Sequence, residues 1–86
     1  RMGLMFMEIT KIKSIYTKII LHEELREFGL TEAIVDLPEG STINSVLNKY
    51  KLSNKRDGIE IIVNGKPIHE YDYILKDWDN IAIFPL

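Results

Sequence analysis

The sequence contains no cysteine, and this absence excludes several kinds of chemistry. Disulfides, thiolate metal sites and cysteine nucleophiles cannot form in a chain without thiols. Long hydrophobic runs are also lacking, because no apolar stretch approaches the roughly 20 residues of a membrane span. The apolar part of the opening RMGLMFM is too short for a secretory signal. We therefore expect a cytoplasmic protein that does not contact membranes.

An excess of positive charge is lacking too. The formal net charge is -2, with both signs scattered along 86 residues, which argues against a general nucleic-acid binder. No nucleophile–base pair, metal-ligand set or phosphate-binding loop is visible, so we expect neither an independent enzyme nor a bound cofactor. What remains is an ordinary globular composition, 45% hydrophobic and 28% charged, of a length that allows one domain.

The first half of the chain predicts two strands joined by a helical turn. Residues 7–21 are rich in Ile, Thr and Tyr, which favours a strand, most clearly over Tyr16–Leu21. A helical turn is predicted at Glu23–Phe28, with Gly29 ending it in the left-handed conformation. A second short strand is predicted at Ala33–Leu37.

A helix is predicted after the turn at Pro38–Gly40, where Ser41 or Thr42 can cap its first turn. Apolar residues then recur at the spacing i, i+3, i+4 and i+7, which forms one stripe facing a sheet: Ile43, Val46, Leu47 and Tyr50.

The second half predicts a hairpin and a last strand. A strand at Ile59–Val63 leads into Asn64-Gly65, a pair that suits a two-residue turn because both residues tolerate positive φ. The return limb is 66–68, and the final strand is Ile81–Phe84. The remaining segments are predicted to be irregular: the polar loop 51–58, and 69–80 with a tight turn.

This order of elements predicts an α+β ubiquitin-like β-grasp fold. The first and last strands, both rich in isoleucine, would be central parallel neighbours in a mixed sheet of four to five strands, with the helix across one face. We interpret residues 16–86 as the β-grasp domain, and residues 1–15 as an N-terminal extension or tag plus the start of the first strand.

Four segments, in order and at compatible spacing, resemble successive parts of the ubiquitin-like sulfur carriers. That superfamily includes the small subunit of molybdopterin synthase (MoaD) and the thiamine sulfur carrier (ThiS). The likeness covers about residues 16–86 and rests on LREFG (Leu25–Gly29), VDLPEGSTINSVL (Val35–Leu47), IIVNGKPI (Ile61–Ile68) and LKDWDNIAIFP (Leu75–Pro85).

The resemblance implies a function exerted through the carboxyl terminus. In that family a free tail ending Gly-Gly is adenylated by a partner related to ubiquitin-activating enzymes, and sulfur then replaces AMP to give a thiocarboxylate. This sequence departs from the family there, because only Leu86 follows Phe84-Pro85. We expect either that a tail is missing from this sequence or that the domain has another role.

The expected partners are such an adenylyltransferase or a synthase large subunit. An exposed edge strand could also support a homodimer. The residues that we expect to contact a partner lie in the last turn and at the end of the chain: Trp78, Phe84, Pro85 and Leu86. Two of them have an alternative role, because Trp78 could instead pack over the edge of the sheet and Phe84 could instead belong to the core.

Other polar groups are interpreted as ordinary surface or turn residues. These are the histidines His22 and His69, the carboxylates Glu23, Glu24, Glu27, Asp77 and Asp79, and the basic residues Lys49, Lys51, Lys55 and Arg56. The alternative for the basic residues is contact with an acidic surface of a partner.

Two alternative functions fit the same fold without sulfur chemistry. VNGKPIHEYDYILKDWDNIAI also resembles the TGS domains of synthetases and stringent-response enzymes, which are regulatory binding modules. An adaptor subunit of a larger enzyme is the other alternative. LREFG and IFP resemble the carriers more closely, and the sulfur carrier is therefore the favoured hypothesis.

Overall fold

The strands predicted from the sequence form a five-stranded mixed sheet. The computed structural model describes residues 13–86. Their elements are β1 (Ser14–Leu21), a first 3-10 helix (Glu23–Phe28), β2 (Glu32–Pro38), α1 (Ile43–Lys49), a second 3-10 helix (Ser53–Gly58), β3 (Ile59–Val63), β4 (Lys66–Pro67) and β5 (Asn80–Pro85).

The two central strands of this sheet come from opposite ends of the described chain. The strand order is β2-β1-β5-β3-β4, and β1 and β5 are parallel while the other neighbours are antiparallel. The parallel register pairs Lys18 with Asn80 and Leu21 with Ile83. The predicted central pair and the β-grasp architecture are therefore confirmed.

One face of the sheet forms the core with the apolar stripe of α1. In β5, Ile81 and Ile83 are fully buried, whereas Ala82 and Phe84 alternate with them and are half-buried on the opposite face. We call this opposite face the outer face, because the buried residues of α1 join the cluster on the inner side: Ile43, Val46 and Leu47.

The helix α1 begins where the capping pattern predicts. Thr42 is the N-cap: its hydroxyl accepts a hydrogen bond from the Ser45 N–H at 3.4 Å, and the Ser45 hydroxyl accepts one from the Thr42 N–H at 2.9 Å. This reciprocal arrangement satisfies donors that the first turn leaves free.

The prediction of a left-handed Gly29 is wrong. Its φ is 173°, which is extended backbone that any residue adopts. Glycine is needed there for a different reason, because a Cβ at this position would lie 2.6 Å from Cε1 of Tyr50.

The prediction of a wholly irregular segment at 51–58 is also wrong, since Ser53–Gly58 forms the second 3-10 helix. Its start is held by Leu52, which is fully buried and whose carbonyl accepts a hydrogen bond from the Lys55 N–H at 2.9 Å. Because a single buried leucine anchors this helix, the segment has no repeated apolar spacing from which a helix could be predicted. The predicted strand residues 7–12 lie outside the described residues; β1 begins at Ser14.

Candidate partner-binding surface

The end of β5 is fixed to two neighbouring elements. The ring of Phe84 stacks on that of His22, with centroids 4.0 Å apart and planes inclined by 7°. The His22 N–H donates to the Ile83 carbonyl at 3.0 Å, and the Leu86 N–H donates to the Gly58 carbonyl at 2.9 Å. Leu86 is nevertheless 80% exposed, so its side chain is available to a partner.

A shallow groove of about 320 Å³ lies beside this end of the chain. Three carboxylates and one ammonium group border it, and Nζ of Lys55 lies 5.5 Å from the ring centroid of Phe28. The groove combines an apolar floor with an acidic rim; its lining is Glu24, Leu25, Glu27, Phe28, Asn54, Lys55, Asp57, Gly58, Ile59, Pro85 and Leu86.

On the outer face, four half-buried apolar side chains lie next to the same end of β5. The register places Ile20, Ala82 and Ile62 side by side on neighbouring strands. Phe84 follows Ala82 on the same face of β5. We call these four residues the C-terminal patch. It is bordered by a loose polar contact, in which His69 Nε2 lies 3.7 Å from Glu60 Oε2.

The structure separates the predicted contact residues into two groups. Phe84, Pro85 and Leu86 lie together at the end of β5, whereas Trp78 precedes the start of that strand. At roughly 3.3 Å per residue of strand, Trp78 and Phe84 are about 20 Å apart. One small site cannot include both.

Trp78 lies on the outer side of the sheet against Tyr16, and its own side chain is 64% exposed. The prediction left open whether this tryptophan packs on the sheet or meets a partner. Its ring does pack on Tyr16, but most of the indole remains accessible to a partner.

The two carboxylates that flank Trp78 build its turn. Asp77 accepts a hydrogen bond from the Tyr16 N–H at 2.8 Å. Asp79 is 5% exposed and accepts from Asn64 Nδ2 and from the Lys76 N–H, each at 2.8 Å. These contacts agree with the turn role predicted for both residues.

In the described part of the chain, the remaining polar residues do not gather into one site. Of the basic residues, Arg56 lies over Tyr71, with its guanidinium carbon 5.1 Å from the ring centroid. Within residues 13–86, no three His, Asp or Glu side chains come together as a metal-binding group. In the same part of the chain, no helix is long and apolar enough to cross a membrane.

Two residues of these surfaces, Tyr16 and His22, escaped the sequence-based prediction as neighbours of Trp78 and Phe84. The signal that could have found them is the parallel pairing of β1 and β5. Lys18 pairs with Asn80 and Leu21 with Ile83, an offset of 62 residues that also aligns 16 with 78 and 22 with 84. The central pairing was predicted, but its register was not.

The described fold and surfaces can be compared with known proteins. The model of the ThiS family matches residues 19–86. No curated protein sequence matches the chain significantly.

Several solved structures share the fold. A Pyrococcus furiosus protein provisionally described as molybdopterin converting factor subunit 1 is 26% identical, with a TM-score of 0.68 over 83% of this chain and 97% of that one. Small archaeal modifier protein 1 of Haloferax volcanii has a TM-score of 0.67 at 19% identity, covering 83% of this chain and 97% of its own. The Methanosarcina acetivorans protein of that name has a TM-score of 0.60 at 24% identity, covering 85% of this chain and 94% of its own.

Proposed function

The chain belongs to the ThiS family, and from this premise we propose that it is a sulfur carrier whose carboxyl terminus is activated by an ATP-dependent adenylyltransferase. Members of this family are small non-catalytic proteins that work with larger activating or synthase enzymes. The likeness to the Pyrococcus furiosus converting-factor subunit supports sulfur transfer in molybdopterin synthesis, with thiamine synthesis as the other pathway of this family. Because the activation uses ATP, we also propose that the protein acts in the cytoplasm.

The chemistry proceeds in two balanced steps. An oxygen of the terminal carboxylate attacks the α-phosphorus of ATP, and pyrophosphate leaves to give an acyl adenylate. Hydrosulfide (HS⁻) released by the partner system then attacks the acyl carbon, AMP leaves with the bonding electron pair, and loss of the sulfur-bound proton to water gives a thiocarboxylate. Neither step requires a side-chain nucleophile of the carrier, so a chain without cysteine can perform this role.

The observation that carries the proposal is that β5, the strand that leads toward the carboxyl terminus, ends beside two surfaces that a partner can recognise. The C-terminal patch offers apolar area on the outer face, and the groove beside Leu86 offers an apolar floor with an acidic rim. The stack of His22 on Phe84 and the hydrogen bond from Leu86 to Gly58 hold the end of β5 in one direction. A partner that binds these surfaces would receive the residues that lead from β5 to the carboxyl terminus in a defined orientation.

The test is ATP–pyrophosphate exchange by the adenylyltransferase encoded in the same genome, with the gene's full product as substrate. We expect A82K, which adds a charge within the C-terminal patch, to raise the half-saturating carrier concentration at least tenfold. F84A should also raise the half-saturating carrier concentration. The control I74K changes a residue that is 60% exposed beside the start of α1 and should have no effect.

Both outcomes of this assay are informative. Exchange that depends on the carrier and weakens in A82K but not in I74K supports activation through the C-terminal patch. The sulfur-carrier proposal is contradicted if no exchange occurs although the carrier is folded and the adenylyltransferase is active on another carrier protein. It would favour the alternative, a β-grasp adaptor or regulatory module without sulfur chemistry.

A further inference from the structure

A second exposed surface lies at the opposite end of the outer face from the C-terminal patch. Tyr16 and Trp78 stack there, with centroids 5.7 Å apart and planes inclined by 27°. Their exposed fractions are 45% and 64%, so one face of the indole is covered by the tyrosine and the other is open. We call this pair with its neighbouring carboxylates, Asp36 and Asp77, the aromatic–acidic surface.

Folding stability explains the tryptophan at this position only in part, because the stack on Tyr16 leaves 64% of Trp78 exposed. Trp78 has a φ of 65°, in the left-handed region that a bulky residue rarely adopts and that glycine adopts at no steric cost. The turn itself is held by its backbone and by Asp77: the Trp78 N–H donates to the Tyr16 carbonyl at 2.6 Å, and Asp77 accepts from the Tyr16 N–H. An exposed indole on a strained backbone therefore points to a contact outside the chain.

The charges around the indole define which kind of group fits. Asp36 lies directly across from Tyr16 in the β1–β2 pair, on the same face of the sheet. Within residues 13–86, neither Asp36 nor Asp77 forms a salt bridge. The nearby lysines have other contacts, because Lys18 pairs with Glu32 at 2.9 Å and Lys76 lies over Tyr73.

We propose that the aromatic–acidic surface binds an arginine side chain of a protein partner. A guanidinium is planar and stacks on an open aromatic face, where the ring attracts a cation, and it also donates hydrogen bonds to carboxylates. The same carboxylates repel phosphate, which argues against a nucleic acid or an anionic membrane as the occupant. The proposal is independent of carboxyl-terminal activation, since this surface lies about 20 Å from Phe84 along the strand.

The test is a titration of the isotope-labelled full chain with the capped peptide acetyl-Gly-Arg-Gly-amide, followed by NMR. Citrulline in place of arginine is the matched neutral peptide. We expect saturable shifts of the Trp78 indole N–H and the Tyr16 amide with the arginine peptide. The citrulline peptide should bind about fivefold more weakly, because it cannot form the cation–aromatic contact. Trp78 is the sole tryptophan, so its indole signal is unambiguous.

Two variants test the surface without threatening the fold. W78G removes the indole and relieves the left-handed strain, and it should weaken arginine binding about fivefold. D36N removes one charge at nearly constant shape and should weaken it about two- to fivefold, the usual effect of an exposed ion pair. The matched controls are L30A, at an exposed leucine outside the surface, and D72N, at an exposed aspartate in the segment that packs on the start of α1; both should bind like the unchanged chain.

Four results would overturn the proposal. One is equal binding of the arginine and citrulline peptides, and a second is binding that W78G leaves intact. Another is a dimer by analytical ultracentrifugation that W78G dissociates, which would make a second copy the occupant. The last is a change in the tryptophan emission maximum on deletion of residues 1–12, which would make that segment the occupant.

Discussion

At the scale of single residues, Gly29 is fixed by its neighbour rather than by its backbone. Alanine at this position would place its Cβ 2.6 Å from Cε1 and 3.0 Å from Cδ1 of Tyr50. We expect G29A to lower the free energy of unfolding by about 1–3 kcal/mol, the usual cost of overpacking. Urea denaturation measures this. G58A is the control, because nothing lies within 4 Å of a Cβ there, and equal losses in both variants would contradict the account.

The phenol of Tyr50 gives a pH-dependent prediction at the same scale. Burial raises the pKa of Tyr50 above its ordinary value of 10.0, because it disfavours the charged phenolate. The folded state therefore holds this proton more tightly than the unfolded state. The resulting stability is fully present below the unfolded pKa and is lost as the pH rises through the folded pKa.

The variant Y50F isolates this contribution. We expect the stability advantage of the unchanged chain over Y50F to shrink as the pH is raised from about 8 to about 11, because only the unchanged chain loses this proton. Lysine titration affects both proteins alike, so the difference between their unfolding free energies is the quantity to measure. A constant difference across that range would show that Tyr50 does not titrate differently on folding.

At the scale of elements, α1 is too short to be stable alone and depends on its cap and its packing. It spans only Ile43–Lys49, and the side chains of Thr42 and Ser45 each accept a hydrogen bond from the other's backbone N–H. We expect T42A to cost about 1 kcal/mol of unfolding free energy. T31A, at an exposed threonine outside the helix, should change stability by less than about 0.5 kcal/mol. Indistinguishable thermal unfolding of the two variants would contradict the role of the cap.

The elements also show how far the sequence predicts this fold. The stripe of Ile43, Val46 and Leu47 predicts α1. The isoleucine-rich segments that form β1 and β5 predict the central parallel pair. Both predictions succeed because the apolar residues in these patterns are the ones that the fold buries. The 3-10 helix at Ser53–Gly58 has no such pattern, since its one anchor is Leu52. The contacts of Tyr16 with Trp78 and of His22 with Phe84 depend on strand register, which hydrophobic alternation constrains only to within two residues.

At the scale of the whole molecule, the last strand holds the two halves of the sheet together. β5 lies between β1 and β3, and its Ile81 and Ile83 are fully buried. Removal of residues 80–86 leaves β1 and β3 without a common neighbour and opens the core. We expect this truncation to lose the amide dispersion of a folded protein in NMR spectra. Removal of Leu86 alone should leave the chain folded, and a folded protein without β5 would contradict the topology.

The central claim is that the carboxyl terminus carries sulfur, and the most direct measurement is the intact mass of the protein purified from its own cells. We expect a fraction of the protein whose mass is higher by the difference between one sulfur and one oxygen atom, with the added mass located on the C-terminal residue by fragmentation. This fraction should disappear in cells that lack the adenylyltransferase. A carboxyl terminus that never carries sulfur, in cells that are actively making sulfur-containing cofactors, would contradict the claim.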